Sequence, residues 1–174
     1  MSRFEELVST VAEYQKRAAE NYDRIRRLAE ELKDGYCAFM GPSKGACVHL
    51  VQPAGPFKPI TNLDTAFSVP PRGFRPLGAI AFGLAVRVSE GTDWIRVAMT
   101  CHKLGEKFTV HIEGGPSYTF QLPLSGSHPE EFYELLFQHI KAQFTEAIDR
   151  YDRGTDARSI GFDFSEAQEP SPTN

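Results

Sequence analysis

Residues 79–124 alternate apolar and polar side chains through three successive turns, and this pattern constrains the fold more than any other feature of the chain. Such alternation is typical of strands that bury one face. Turns at 89–92, at Leu104-Gly105 and at 114–116 give one continuous apolar face across the four strands. In this register Cys101 lies opposite Phe108, and Ile112 lies opposite Tyr118. The pattern therefore predicts a four-stranded antiparallel meander with a continuous apolar face.

Residues 3–34 are predicted to form one long helix, because apolar residues recur at steps of three and four. Ser2 and Glu5 form a capping-box pattern at its start, and Gly35 is the predicted stop. Such a helix spans roughly 48 Å, whereas a ten-residue strand spans about 33 Å. There are two interpretations of this helix. In one it only covers the sheet, and in the other it covers the sheet and also mediates self-association. The oligomer-seam candidates are Phe4, Leu7, Val11 and Tyr14, and Asn21 fits a register-fixing role.

Two regions lie between this helix and the meander. Strands at Tyr36–Met40 and Ala46–Gln52 flank the turn residues 41–45 and predict a hairpin. The proline-rich residues 53–78 predict a long ordered loop, with an edge strand near Ala66–Val69. A loop of this length is either functional or a strap over a sheet edge.

A second helix is predicted to begin after Ser127, a capping residue that Glu130 complements. Its apolar stripe comprises Phe132, Leu136, Ile140, Phe144, Ala147, Ile148 and Tyr151. Tyr133 and Phe137 widen the stripe, which suggests contact with the first helix. We therefore predict a single two-layer α+β domain over residues 1–165, with two long helices packed on one face of a mainly antiparallel meander. Residues 166–174 are predicted to form a flexible polar tail.

Composition excludes several classes of protein. Hydrophobic residues make up 41% and charged residues 24%, which is typical of a globular domain and not of a disordered chain. No apolar run is long enough to span a membrane. The net charge of −4 disfavours a strongly basic nucleic-acid domain. The first residues lack a secretory pattern, so the three cysteines suggest reduced thiols in a cytoplasmic protein.

The polar face of the meander carries the binding-face candidates. The predicted register places Arg96 opposite Glu113, a favourable ion pair, and Arg87 opposite Trp94, where a cation–π contact is possible. This face is a solvated sheet back, a surface covered by the first hairpin and the proline-rich loop, or a partner or ligand surface. Small residues at 79, 81, 83 and 85 would allow a close approach there. The candidates are Arg87, Trp94, Arg96, His111, Glu113 and His102.

Motifs for catalysis and cofactor binding are missing from the sequence. Cys37, Cys47 and His49 could share one face of the first hairpin, but no CxxC and no obvious fourth ligand accompany them. No GxSxG, Walker A or GxGxxG pattern occurs. We assign no catalytic residue, no metal and no cofactor, and the sequence favours a non-enzymatic protein.

Three functions are compatible with these observations. The first is a cytoplasmic protein-interaction module that self-associates as a homodimer or belongs to a larger assembly. The second is a small-molecule-binding domain with an apolar pocket between sheet and helices, roofed by the proline-rich loop and walled by Phe132, Tyr133, Phe137, Phe144, Phe120 and Tyr118. The third is weak nucleic-acid binding through the open sheet face, which the presence of a single aromatic residue there disfavours. The residues of this hypothesis are Arg87, Trp94, Arg96, Lys107 and His111. None of the three involves a membrane.

Overall fold

The computed structural model describes residues 1–41, 45–122, 124, 128–155 and 160–166. In chain order its elements are α1 (Arg3–Met40), β1 (Val48–Val51), β2 (Ile80–Arg87), β3 (Trp94–Leu104), β4 (Lys107–Ile112), β5 (Ser117–Gln121), α2 (His128–Asp152) and β6 (Asp163–Phe164). The strands β1 to β5 lie side by side in sequence order, and β6 pairs with β3. All pairings are antiparallel. The predicted α+β architecture with two long helices is confirmed.

The apolar face of the meander is buried against both helices in one hydrophobic core. The predicted β2–β3 register is confirmed, with Val86 opposite Ile95. The next two registers are wrong by two residues, since Cys101 pairs with Val110 and Val110 pairs with Tyr118. Side chains alternate with a period of two, so a shift of two keeps the same residues on the buried face.

Gly105 explains the first of these shifts. Leu104 pairs with Lys107, so the two-residue loop is Gly105-Glu106 and not Leu104-Gly105. Gly105 has a φ of 62°. A hairpin turn with a positive φ at its first loop position requires glycine there.

Helix α1 continues past Gly35 to Met40, so the predicted stop and the predicted strand at Tyr36–Met40 are wrong. Gly35 lies against α2, where a Cβ atom would sit 1.9 Å from the hydroxyl of Tyr133. The glycine therefore serves close helix packing rather than helix termination. The capping box of Ser2 and Glu5 is confirmed. Because the first strand is helical, the predicted hairpin does not form, and β1 pairs with β2 instead.

Cys37 and Cys47 form a disulfide that joins the end of α1 to the chain just before β1. The prediction that all three thiols are reduced is therefore wrong. The disulfide contains both sulfur atoms that the hypothesis of a metal site at Cys37, Cys47 and His49 requires as ligands. Among the described residues, no group of three side chains that could hold a metal ion occurs. Cys101 is free and buried, and its burial raises the pKa of its thiol to about 12.

The proline-rich loop follows the edge of the sheet. The predicted edge strand is reduced to one bridge, in which Phe67 pairs with Phe82. Ser68 donates its N–H to the Ala81 carbonyl (2.8 Å). Strand β1 pairs only with residues 83–86, so this bridge extends the covering of the β2 edge beyond β1. The contact supports the strap interpretation for this part of the loop.

Helix α2 packs on the sheet with its N-terminal half. The predicted N-cap Ser127 lies outside the described residues. Phe132 and Leu136 are fully buried, whereas Ile148 and Tyr151 at the far end are exposed, so the predicted buried stripe ends early. Tyr133 packs on Tyr36, with ring centroids 5.9 Å apart, which confirms the predicted contact between the helices.

The C-terminal segment joins the sheet as β6, which pairs with Ile95 and Arg96 of β3. Glu166 donates its N–H to the Phe57 carbonyl (3.2 Å), so this first residue of the predicted tail is held by the loop. The rest of that tail, residues 167–174, lies outside the described residues. Among the described helices, none is long and apolar enough to cross a membrane.

We expect stability to fall in mild acid because of two half-buried histidines. Burial lowers the pKa of His49 and of His139 below the ordinary value of 6.5, and the nearby Lys33 lowers that of His49 further. Below pH 6.5 the unfolded chain takes up protons that the folded chain does not, so stability is complete above this pH and declines as the pH falls towards the lowered pKa values. Urea unfolding on either side of that value measures the loss. The variant His49→Gln with His139→Gln should show a weaker dependence, and an equal loss in both proteins would contradict this origin.

Candidate functional site

One end of the polar sheet face is covered by distant parts of the chain. Arg96 is buried there, and its guanidinium donates hydrogen bonds to the Gly55 carbonyl and to the Asp163 carboxylate. Its Cζ atom lies 5.0 Å from the centre of the Phe57 ring. The predicted Arg96–Glu113 ion pair is wrong, because β4 is shifted and β6 places Asp163 opposite Arg96 instead. Arg96 therefore holds the loop and the C-terminal segment on the sheet.

The predicted pairing of Arg87 with Trp94 across β2 and β3 is confirmed. Trp94 is buried in a small apolar cluster with Val51, Phe57 and Ala85. The Arg87 guanidinium donates to backbone carbonyls of the following turn, at Ser89, Glu90 and Gly91. Because its indole is covered, Trp94 does not present a ring on which a nucleic-acid base could stack.

The small residues on this face are used by the chain itself. A Cβ atom on Gly83 would lie 2.9 Å from the Gln52 carbonyl oxygen and 3.0 Å from that of Val51. Ala85 belongs to the cluster beneath Phe57. The close approach that small residues allow is therefore made at these two positions by β1 and the loop.

The other end of the polar face is open. His111 shares a hydrogen bond with Ser117 across β4 and β5 (2.8 Å between Nδ1 and Oγ), and Thr109 shares one with Thr119 (3.0 Å). His102 lies opposite Thr109. Such polar pairs are typical of a solvated sheet back.

Glu113 follows the end of β4, where its N–H donates to the Ala98 carbonyl (2.9 Å), and its side chain is exposed. The structure thus separates the six binding-face candidates. Arg96 and Trp94 are buried at one end, while the other end exposes His111 and leaves His102 partly exposed.

A continuous exposed apolar surface lies on residues 3–17 of α1, which we call the overhang. All side chains of the overhang are exposed, including Phe4 (74%), Leu7 (60%) and Val8 (50%). From Ala18 onward the same apolar periodicity is buried against the sheet. The predicted seam is therefore one end of a continuous apolar stripe along α1. From Ala18 onward this stripe lies in the core, whereas within the overhang it is exposed to solvent.

The base of the overhang rests on the proline-rich loop. The Tyr14 ring stacks on Phe74 with centroids 5.8 Å apart, and its hydroxyl accepts a hydrogen bond from the Leu77 N–H (2.7 Å). Asn21 is buried and donates to the Gly78 carbonyl (3.0 Å). Asn21 thus anchors the loop and does not fix the register of a helix pair.

Phe74 and Leu77 extend the exposed apolar surface, although no pattern in the sequence predicts this. Their side chains are 62% and 47% exposed. Both lie in the proline-rich loop close to Pro76, where no periodicity marks an apolar residue as surface or core. The candidate site therefore comprises the overhang and these two loop residues.

Comparison with protein-family models, with curated proteins and with solved structures finds no significant match to this chain.

Proposed function

We propose that this protein is a non-enzymatic interaction module that self-associates through the overhang. The observation that carries the proposal is the exposure of Phe4, Leu7 and Val8 on a stripe that is core elsewhere in the same helix. Fully burying a large apolar side chain contributes about 1.5–3 kcal/mol, so several such side chains strongly favour a covered state. Large exposed apolar patches mark interaction sites.

A second copy of the chain fits this surface in an antiparallel arrangement. A two-fold axis near the middle of the overhang would bring the apolar tip, Phe4 and Leu7, onto the partner's base, Tyr14 and Phe74. In an antiparallel helix pair, the first residues of one apolar seam pack against the last residues of the other. A two-fold interface uses the same patch on both copies.

The charges of the overhang favour the same arrangement. Within the overhang, residues 3–8 carry one basic and two acidic side chains, whereas residues 9–17 carry two basic side chains and one acidic side chain. An antiparallel pair places these halves of opposite net sign against each other, and a parallel pair places like against like. Opposite charges around an apolar seam set the orientation of helix pairs.

The test is the mass of the native chain and of the variant Leu7→Asp with Val11→Asp, measured by light scattering across a dilution series. We expect the native chain to approach twice its 19.5 kDa and the variant to remain at 19.5 kDa. The matched control, Ser2→Asp with Ser9→Asp, adds one carboxylate to each half, as the test variant does, but on the side of the helix away from Phe4, Leu7 and Val8, and should keep the native mass. A native chain that stays monomeric, or an aspartate variant that dimerises normally, would overturn the proposal.

The cytoplasmic location predicted from the sequence stays a prediction, and the disulfide bears on it. Cytosolic thiols are kept reduced, whereas oxidising compartments preserve disulfides. The Cys37–Cys47 bond therefore supports an oxidising environment for the folded chain. Alkylation of the protein on cell lysis, followed by mass spectrometry, distinguishes reduced Cys37 and Cys47 thiols from the disulfide.

A further inference from the structure

A cavity of about 880 Å³ lies between the C-terminal parts of α1 and α2 and one end of the sheet. Clefts of this size accommodate small organic ligands. None of the described residues of the proline-rich loop lines it. It is therefore separate from the overhang and from the covered end of the polar face.

This cavity differs from the aromatic pocket that the sequence suggested. Phe120 and Phe132, two of the expected walls, are fully buried and pack edge to face with their ring centroids 5.2 Å apart. They belong to the core and do not line the cavity. Of the six expected wall residues, only Phe137 and Phe144 line it.

The wall that α2 provides is mostly apolar. Phe137, Ile140, Phe144 and Ile148 line the cavity from this helix, and Val86 lines it from β2. Ile148 is 60% exposed, which shows that the apolar stripe of α2 runs beyond the part that the core covers. A hydrocarbon chain is the kind of ligand that such a wall favours.

The polar part of the wall is cationic. Lys141 and Arg87 line the cavity together with one carboxylate, that of Glu90. Arg87 binds the carbonyls of the adjacent turn, whereas Lys141 forms no ion pair within the described residues. One positive charge is thus left over for a bound anion.

Tyr36 supplies an independent indication of a ligand. It lines the cavity, its side chain is fully buried, and its hydroxyl has no hydrogen-bond partner within the described part of the chain. A buried polar group without a partner destabilises a folded protein, and such groups are rare. Because this hydroxyl has no accessible surface in the structure, a polar ligand atom would become its missing partner by displacing the side chains that now close over it.

We propose that the cavity binds an amphipathic carboxylate, with its hydrocarbon chain against Phe137 and Phe144 and its head group held by Lys141 and the Tyr36 hydroxyl. Apolar walls alone would accept any hydrocarbon, so the lysine and the hydroxyl define the chemical class. The proposal does not depend on self-association, because none of its residues lies on the overhang.

The probe is dodecanoate below its micelle concentration, with dodecyltrimethylammonium as the cationic counterpart, titrated calorimetrically into the full chain. We expect dodecanoate to bind at least tenfold more tightly than the cation. Lys141→Glu should weaken dodecanoate binding about tenfold, and Tyr36→Phe should weaken it severalfold. The matched control is Lys103→Glu, an equal charge change on an exposed lysine outside this cavity, which should leave the affinity unchanged.

Two results would overturn this assignment. One is the absence of dodecanoate binding, or equal binding of the anion and the cation. The other is an unchanged affinity in both Lys141→Glu and Tyr36→Phe, since the head group would then lie elsewhere. Circular dichroism of each variant establishes that it is folded.

Discussion

Reduction of the Cys37–Cys47 disulfide is expected to lower the free energy of unfolding by about 3 kcal/mol. The bond closes a loop with a sequence separation of 10, and a closed loop of this size removes roughly that much conformational entropy from the unfolded chain. It also joins the last turn of α1 to the chain that enters β1, an edge strand of only four residues. After reduction, β1 should therefore be the first strand to detach from the sheet.

Thermal unfolding with and without reductant measures this loss. A change of this size lowers the melting temperature by roughly 6–12 °C in a domain of this length. The variant Cys37→Ser with Cys47→Ser should match the reduced native protein and should not respond to reductant. A melting temperature that reductant leaves unchanged in the native protein would contradict the expectation.

Replacing Arg96 by alanine is expected to cost a similar amount, about 3 kcal/mol, through lost packing and lost hydrogen bonds. Its side chain is buried under Phe57, and its guanidinium is the common partner of the Gly55 carbonyl and Asp163. The substitution leaves a cavity beneath Phe57 and a carbonyl that must find water. It therefore loosens both segments that cover this end of the sheet.

Asp163→Ala is the matched comparison. The Asp163 side chain is 74% exposed, so its removal opens the Arg96 guanidinium to water, and the loss should be clearly smaller than that of Arg96→Ala. Urea unfolding of the two variants gives both values. Losses of equal size, or an Arg96→Ala protein as stable as the native one, would show that Arg96 does not hold these segments in the way described.

The faces of the meander could be predicted from the sequence, but its registers only in part. The buried face follows from alternation, which a shift of two residues does not change. The shift itself depends on where Gly105 falls within its turn, and the apolar pattern does not report on that. The error mattered at Arg96, because the shift places β6 and not Glu113 beside it.

The end of α1 and the pairing of the cysteines could not be predicted, because both depend on distant residues. Gly35 is a usual stop signal, and only the position of Tyr133 on α2 shows that it serves packing. Cys37 and Cys47 were expected on facing strands of one hairpin. The helix instead carries Cys37 to within 5.5 Å of Cys47, measured between their Cα atoms.

The candidate site was partly visible in the sequence. The seam residues Phe4, Leu7, Val11 and Tyr14 follow from helical periodicity, and the length of the helix pointed to a part without cover. Periodicity could not show that cover ends at Ala18, or that Phe74 supports Tyr14. It also could not show that residues 55–57 cover Trp94 and Arg96, or that residues 163–165 pair with β3 beside them, because these segments lie far away along the chain.

Amide hydrogen exchange of the full chain at two protein concentrations tests the self-association of the overhang most directly. An overhang without a partner is solvated along its length and exchanges rapidly at any concentration. Self-association predicts that residues 3–17 and the loop around Phe74 become protected at the higher concentration, while the rest of the chain is unaffected. Rapid exchange of residues 3–17 at both concentrations would contradict the account.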